Sequence, residues 1–231
     1  MHAPTIDAKV DQVKQRLAAA RDLAPAVFAS SFGAEDMVLF DLIAREFREI
    51  EIATLDTGRL PPETYDLMQQ AMTAYRCKVR IYSPQHEGVE SFVRINGING
   101  FYESISQRKG CCEVRKLEPL KRALAGKRAW ITGLRREQSV TRQALDEVAF
   151  DETQGLHKFS PLAEWTDEDV WHYIRSRNVP YNALHDRGYP SIGCAPCTRA
   201  VAPGEDIRAG RWWWESSAGK ECGLHPQGVQ A

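Results

Sequence analysis

Ile6, Val10, Val13 and Leu17 recur at the spacing of one helical face, so the chain opens with a helix that coats something else. Ala26-Val27-Phe28-Ala29-Ser30-Ser31 is a short apolar run of the kind that forms a buried strand. Phe32-Gly33-Ala34 turns it, and Glu35-Asp36 open a helix carrying Met37, Val38, Leu39, Leu42 and Ile43. A second strand reads from Glu49 to Asp56 and ends at Thr57-Gly58. Pro61-Pro62-Glu63 start the next helix, because proline suits a first helical turn. Lys78 to Tyr82 alternates as a third strand, and Gly88 to Ile95 is helical in pattern. Gly97 to Gly110 reads as a loop or lid, Cys112 to Leu124 as a helix disturbed at Pro119, and Ala129 to Gly133 as a fourth strand. Val170, Trp171, Tyr173 and Ile174 lie on a helix that Thr166 caps, with Asp169 three residues on. Strands alternating with helices predict a parallel sheet covered on both faces. Such sheets take ligands at the carboxyl ends of their strands. After Asn178 periodicity fades, which divides the chain into an α/β core over about 1–178 and an irregular C-terminal extension over about 179–231 of one domain.

Charge adds mainly exclusions. Thirty Lys and Arg face thirty-one Asp and Glu over 231 residues. No global field therefore points to nucleic acid or to an anionic membrane. No apolar run has the length of a membrane span. The first residues lack the basic-then-apolar order of a secretory signal, so the expected address is cytoplasmic. In that compartment thiols stay reduced, and clustered cysteines read as metal or redox groups.

Six cysteines are present, and four of them pattern together. Cys194 and Cys197 form a Cys-x-x-Cys knuckle on a Gly/Pro-bent turn, which aims both sulfurs into one concavity. Cys111 and Cys112 are adjacent. Neighbouring side chains diverge in helix and strand alike, so such a pair chelates one tetrahedral zinc poorly. A multi-iron cluster suits it better, since each sulfur can take its own iron. Spacing favours the cluster and leaves zinc, a disulfide or unligated thiols as alternatives. Cys77 reads as a small core residue.

Other candidates gather at strand ends. Ser30 to Asp36 is a strand–turn–helix junction that reads first as an ordinary N-cap and tight turn and otherwise as a ready anion site; it lacks the Gly-x-x-x-x-Gly-Lys frame of a P-loop. Leu55 to Arg59 and Gly133 to Gln138 end their strands at the same sheet edge. Lys116 lies four residues after Cys112, on the same face if the segment is α-helical. Arg208 and Arg211 are three apart, and Arg142 follows the Gly133 segment. Near the end, Cys222 stands between Lys220 and His225 on a Gly-containing tail, the setting of a low-pKa nucleophile. Trp212-Trp213-Trp214 reads as an anchor for the extension, and His157, His172 and His185 as structural.

These stretches together resemble the adenylyl-sulfate (APS) and phosphoadenylyl-sulfate (PAPS) reductases of sulfate assimilation. The resemblance covers Ser30 to Asp36, Leu55 to Tyr65, Cys111-Cys112, Gly133 to Arg142, Lys158 to Leu162, Gly193 to Cys197 and Glu221 to His225. It implies an adenine-nucleotide α-hydrolase-like α/β fold related to the ATP pyrophosphatases. The Ser30 turn departs from the pyrophosphatase Ser-Gly-Gly-x-Asp-Ser form, which fits binding a phosphosulfate rather than cleaving ATP. It further implies one 4Fe–4S cluster on Cys111, Cys112, Cys194 and Cys197, the mark of members that use APS. Cys222 takes the place of the catalytic cysteine. Lys116, Arg142, Arg208, Arg211 and His225 fall around the sulfate. Ser31, Phe32, Gly33, Leu55 and Gly133 fall where the nucleotide is held, while Arg135 and Arg136 stay undecided between them.

The implied reaction is thioredoxin-dependent reduction of APS to sulfite and AMP. The Cys222 thiolate attacks sulfur, fixed cations neutralise the oxygens around it, and an S-sulfocysteine results. An external thioredoxin then releases sulfite by thiol exchange. Three rivals stand beside this reading: a PAPS reductase, an ATP-consuming sulfur-transfer enzyme, and a zinc-stapled nucleotide-binding module. Neither nucleic acid nor membrane is an expected partner, and homo-oligomerisation is left open.

Overall fold

The structure, a computed structural model, describes residues 5–138 and 144–215. In chain order the regular elements are α1 (Ile6–Asp22), β1 (Ala26–Ser30), α2 (Ala34–Glu46), β2 (Glu51–Leu55), α3 (Pro62–Tyr75), β3 (Arg80–Tyr82) and α4 (His86–Asn96). They continue with α5 (Ile105–Cys112), α6 (Glu118–Leu124), β4 (Ala129–Ile131), β5 (Val148–Asp151), β6 (Leu156–Phe159) and α7 (Asp167–Ser176). Two compact units contain them. The first comprises Met1–Thr54, Pro62–Arg80 and Leu124–Ala183; the second comprises Leu55–Pro61, Ile81–Ala123 and Leu184–Ala231.

The sheet has the order β3-β2-β1-β4-β6-β5. β1 pairs in parallel with β2 on one side and with β4 on the other, and β4 pairs in parallel with β6. The parallel α/β sheet expected from the alternating pattern is the fold observed. Val27, Phe28, Trp130 and Ile131 are buried on the central strands, as strands covered on both faces require. β5 and β6 have no counterpart in the sequence reading. They form an antiparallel hairpin at the sheet's end, and β5 is too exposed to carry a buried apolar run.

The helices of the first unit hold to one another through a buried acid. Asp41 on α2 accepts the Tyr75 hydroxyl at 2.7 Å and the Tyr173 hydroxyl at 2.8 Å, linking α2 to α3 and α7. Burial, followed by the Asp41 carboxylate, raises both phenol pKa values. Thr166 caps α7 in a full capping box with Asp169, as its spacing predicts.

In the second unit one expectation changes. The stretch read as a loop or lid contains a 3-10 turn at Gly100–Tyr102 and then α5, whose N-cap Ser104 accepts the Gln107 N–H at 3.1 Å. The helix expected from Cys112 onward is present, and Pro119 lies inside it, because helical residues run unbroken from α5 through α6. A proline there has no N–H to give and its ring crowds the carbonyl four residues back. The disturbance falls in the turn just before it, which is π-helical over Glu113–Leu117. Cys77 is half-buried rather than a core residue. Among the described residues no helix is long and apolar enough to cross a membrane.

Candidate functional site

In the first unit, the chain leaves β1 for β2 on one side and reaches β4 on the other, so the strand order reverses between β1 and β4. The crevice at such a reversal is where open α/β sheets bind ligands. Its rim is the turn after Ser30 and the turn after Thr132. Ser31 is exposed there. The Phe32 ring is buried against Phe40, with centroids 5.6 Å apart, and its backbone adopts φ 60°. A ligand at this turn therefore meets Phe32 through its backbone. Gly133 is required by close approach: a Cβ there would lie 2.2 Å from Asp36 Oδ1. Burial pushes the Asp36 carboxyl up to about 6, against hydrogen bonds from Ser31 that favour the charged form.

Arg135 and Arg136 are both committed to acceptors of the chain. Buried Arg135 reaches Glu35 at 2.8 Å, Glu137 at 2.9 Å and Asp167 at 3.2 Å. Arg136 pairs with Glu164 and donates to the Leu145 carbonyl at 2.8 Å.

The second unit holds the cysteines. Cys111, Cys112, Cys194 and Cys197 line one cavity together with Arg59, Arg108, Arg115, Lys116, Arg211 and Trp212; it holds about 390 Å³ of empty space, open solvent at its mouth included. α5 delivers the adjacent pair at its last two positions. The knuckle is shaped by its own backbone: Gly193 N–H donates to Thr198 Oγ1 at 3.1 Å, and that hydroxyl donates to the Cys194 carbonyl at 3.0 Å. Ala195 N–H donates to the Arg59 carbonyl at 2.8 Å, and Trp212 N–H to the Cys197 carbonyl at 3.1 Å. Thr57 Oγ1 lies 3.2 Å from Cys194 Sγ.

Glycine at position 193 leaves room for the Arg211 guanidinium, since a Cβ would lie 2.4 Å from its Nη2 and push it aside. That guanidinium lies over the Trp212 ring at 4.8 Å, and Arg108 lies over the same ring at 4.6 Å. Arg108 also forms a two-point ion pair with Glu215, both contacts being 2.8 Å.

Electrostatics at the cavity reflect crowding. Burial pushes the Cys197 thiol up to about 12, with the Cys194 and Cys112 sulfurs adding to the rise and Lys116 and Arg211 opposing it. Burial likewise raises Cys111, against Arg115 and Arg59. Thiols gathered on one cavity lined by cations are a donor set suited to a positively charged group.

Among the described residues, no group of three or more His, Cys, Asp or Glu forms a site for a single metal ion. Four sulfurs on one zinc would each lie about 2.3 Å from it, within about 4 Å of one another. A cluster supplies a separate iron to each sulfur and tolerates wider spacing. The donor set, four thiols on one cavity ringed by cations, fits that second kind of group.

Of the residues singled out from the sequence, Lys116 and Arg211 line the cysteine cavity and Arg208 is not among its lining residues. Ser31, Phe32, Gly33 and Gly133 meet at the β1–β4 crevice, and Leu55 ends β2 as the first residue of the second unit. Arg142, Cys222 and His225 lie outside the described residues. The sequence reading missed Arg59, Arg108, Arg115 and Trp212 as cavity residues. Arg108 stands four residues before Cys112 and Arg115 three after it, a helical spacing that could have found both.

Fold and site define a class, the phosphosulfate reductases of the adenine-nucleotide α-hydrolase-like fold. Residues 25–200 match the phosphoadenosine phosphosulfate reductase domain, and the chain belongs to that family. The adenosine 5'-phosphosulfate reductase of Allochromatium vinosum is 56% identical over 205 residues, covering 89% of this chain and 80% of its own. That of Burkholderia cepacia is 51% identical over 223 residues, covering 96% and 89%. The crystal structure of phosphoadenylyl-sulfate (PAPS) reductase from Candida auris, a phosphate complex, superposes with a TM-score of 0.68 at 29% identity, over 87% of this chain and 99% of the other.

Proposed function

We propose that this chain reduces adenylyl sulfate to sulfite and AMP in sulfate assimilation, working in the cytoplasm with thioredoxin as electron donor. The observation that carries the reading is the convergence of four thiols, Lys116 and Arg211 on one cavity, in a chain about half identical to adenosine 5'-phosphosulfate reductases. Cys111, Cys112, Cys194 and Cys197 would hold one 4Fe–4S cluster. Such a group supplies a fixed local charge and a tie across the cysteine-bearing segments, without itself needing to change oxidation state.

Ser31, Phe32, Gly33, Leu55 and Gly133 hold the nucleotide. Lys116, Arg142, Arg208, Arg211 and His225 surround the sulfate, because a thiolate approaching a sulfate ester meets a shell of negative oxygens that fixed cations must neutralise. The Cys222 thiolate attacks the sulfur, the S–O bond to phosphate breaks, and AMP leaves with the electron pair. A thioredoxin thiolate then attacks the Cys222 sulfur of the S-sulfocysteine. Sulfite departs with its electron pair, and the second thioredoxin thiol resolves the mixed disulfide. Two electrons thus pass from a dithiol to sulfur.

An anaerobic assay of sulfite release from APS, with PAPS as competing substrate and thioredoxin as reductant, tests this reading. Sulfite from APS in preference to PAPS is expected, together with the visible colour of a thiolate-bound iron–sulfur group. Cys222→Ser is expected to bind APS and release no sulfite. Colourless zinc protein that releases no sulfite would defeat the reading.

A further inference from the structure

The β1–β4 crevice contains a buried acid that the reaction above does not use. Asp36 is the third residue of α2 and is 7% exposed. Its Oδ2 accepts the Ser31 N–H at 2.5 Å and the Ser31 hydroxyl at 2.6 Å. Its carboxylate also accepts from the Gly133 N–H, and the contact is so close that no side chain fits at position 133. One carboxylate thus fastens the end of β1 to the end of β4, adjacent parallel strands paired Ala26 to Ala129, Val27 to Trp130 and Phe28 to Ile131.

Two further N–H groups of the turn are also satisfied from within. Phe32 N–H donates to Ser30 Oγ at 3.1 Å and Gly33 N–H to Ser31 Oγ at 3.4 Å. The helix end that would draw an external anion already carries two acids, Asp36 and Glu35, the latter held by Arg135 at 2.8 Å. At the Ser31 N–H the chain's own carboxylate takes the place an external anion would occupy. An ionised carboxylate only accepts, so the Ser31 hydroxyl spends its single proton on Asp36. What exposed Ser31 can offer outward is a lone pair.

We propose that Asp36 is a positioning residue of the nucleotide subsite, fixing Ser31 as a hydrogen-bond acceptor that selects a donor on the nucleoside, a ribose hydroxyl or the adenine amino group, rather than a phosphate oxygen. The inference rests on the proposed role of Ser31 in holding the nucleotide. It assigns the phosphate and sulfate charge to the basic side chains and the neutral part of the substrate to this turn.

The test is isothermal titration of the full chain with AMP, IMP, 2′-deoxy-AMP and 3′-deoxy-AMP. Each of the last three lacks one candidate donor. In the wild type one of them is expected to bind at least about tenfold more weakly than AMP, the loss usual when a buried polar partner is left unpaired. Ser31→Ala should abolish that ratio. Asp36→Asn keeps the size of the side chain, but one end of its amide donates, so it cannot accept from both Ser31 and Gly133. It should shrink the same ratio and weaken AMP by at least about tenfold, while a role in folding alone would leave the ratio untouched.

Ratios unchanged in a folded Asp36→Asn protein overturn the proposal. If that variant melts far below the wild type, Ser31→Ala decides the matter, and wild-type ratios there overturn it equally. Failure of the wild type to bind AMP at all would instead count against the proposed reaction.

Discussion

Replacing Arg108 by Met should unfold the second unit's cysteine frame more than any other single change to its charges. Arg108 and Glu215 form a two-point ion pair whose side chains are 1% and 4% exposed. Glu215 would be left as a buried carboxylate without its cation, at a cost of about 3–5 kcal/mol. The stack on Trp212 at 4.6 Å adds about 1 kcal/mol, and the hydrogen bond to the Cys112 thiol is lost as well. A total of about 4–6 kcal/mol lowers the melting temperature of a chain this size by roughly 8–24 °C. The double variant Arg108→Met/Glu215→Leu removes the stranded charge and should recover at least about 2 kcal/mol of that loss. The assay is urea unfolding of anaerobically purified wild type, both single variants and the double. Coupling within about 0.5 kcal/mol of zero would refute the reasoning, because it would mean the two charges never depended on each other.

Asp36 gives a pH signature. Its folded pKa is raised from 3.8 to about 6, so folding favours the neutral acid. The stability this group contributes is present in full below about pH 4 and is lost as pH rises through about 6. Relative to Asp36→Asn, the wild type should therefore lose about 3 kcal/mol between pH 4 and 7, and parallel curves across that range would contradict the burial argument. Asp41→Ala leaves two buried phenols without their acceptor and should cost about 3 kcal/mol or more in chemical denaturation, whereas Tyr75→Phe should cost about 1 kcal/mol; equal losses would mean the acid is not the shared hub. Lys116→Ala should lower kcat/KM for APS by roughly a hundredfold, since it removes one of the cations proposed for the sulfate; unchanged kinetics would take Lys116 out of the substrate site.

Much of the first unit was legible because its elements obey local rules. The Thr166 capping box and the proline at the start of α3 are set by residues within a turn of each other. The apolar runs of β1 and β4 reflect burial on both faces, which leaves a mark in composition. The hairpin of β5 and β6 left little, because Val148-Ala149-Phe150 is an apolar run of only three residues, and Val148 and Phe150 are exposed. The π-helical turn was legible only as a disturbance near Pro119, not in its kind or its partners. Arg115 within it donates to the Thr57 carbonyl at 2.7 Å, a partner fifty-eight residues away. The widened turn also puts Cys112 and Lys116 on a different period from the α-helical one that their separation suggests. Both side chains line the cavity nonetheless. The pairing of Arg108 with Glu215 spans 107 positions and is equally invisible in composition.

The cavity's arginines show how a crowd of like charges is made tolerable. Arg59 donates to the Ile98 carbonyl at 2.6 Å and to Asn99 at 3.2 Å. Arg115 spends a donor on Thr57, Arg108 on Glu215, and Arg211 on Ser191 and the Ile192 carbonyl, each at 3.3 Å. Planar guanidinium groups tied in this way keep their charge and lose their freedom. They therefore offer the cavity a field fixed before any ligand arrives, with little left to reorganise. Such a field lowers the cost of ionising Cys197 and Cys111, which burial raises. The same field would serve a second negative group, the sulfate of the substrate. Lys116 differs from the arginines in carrying three rotatable donors on a compact ammonium, the form of cation that can follow an oxygen as charge on it changes during reaction.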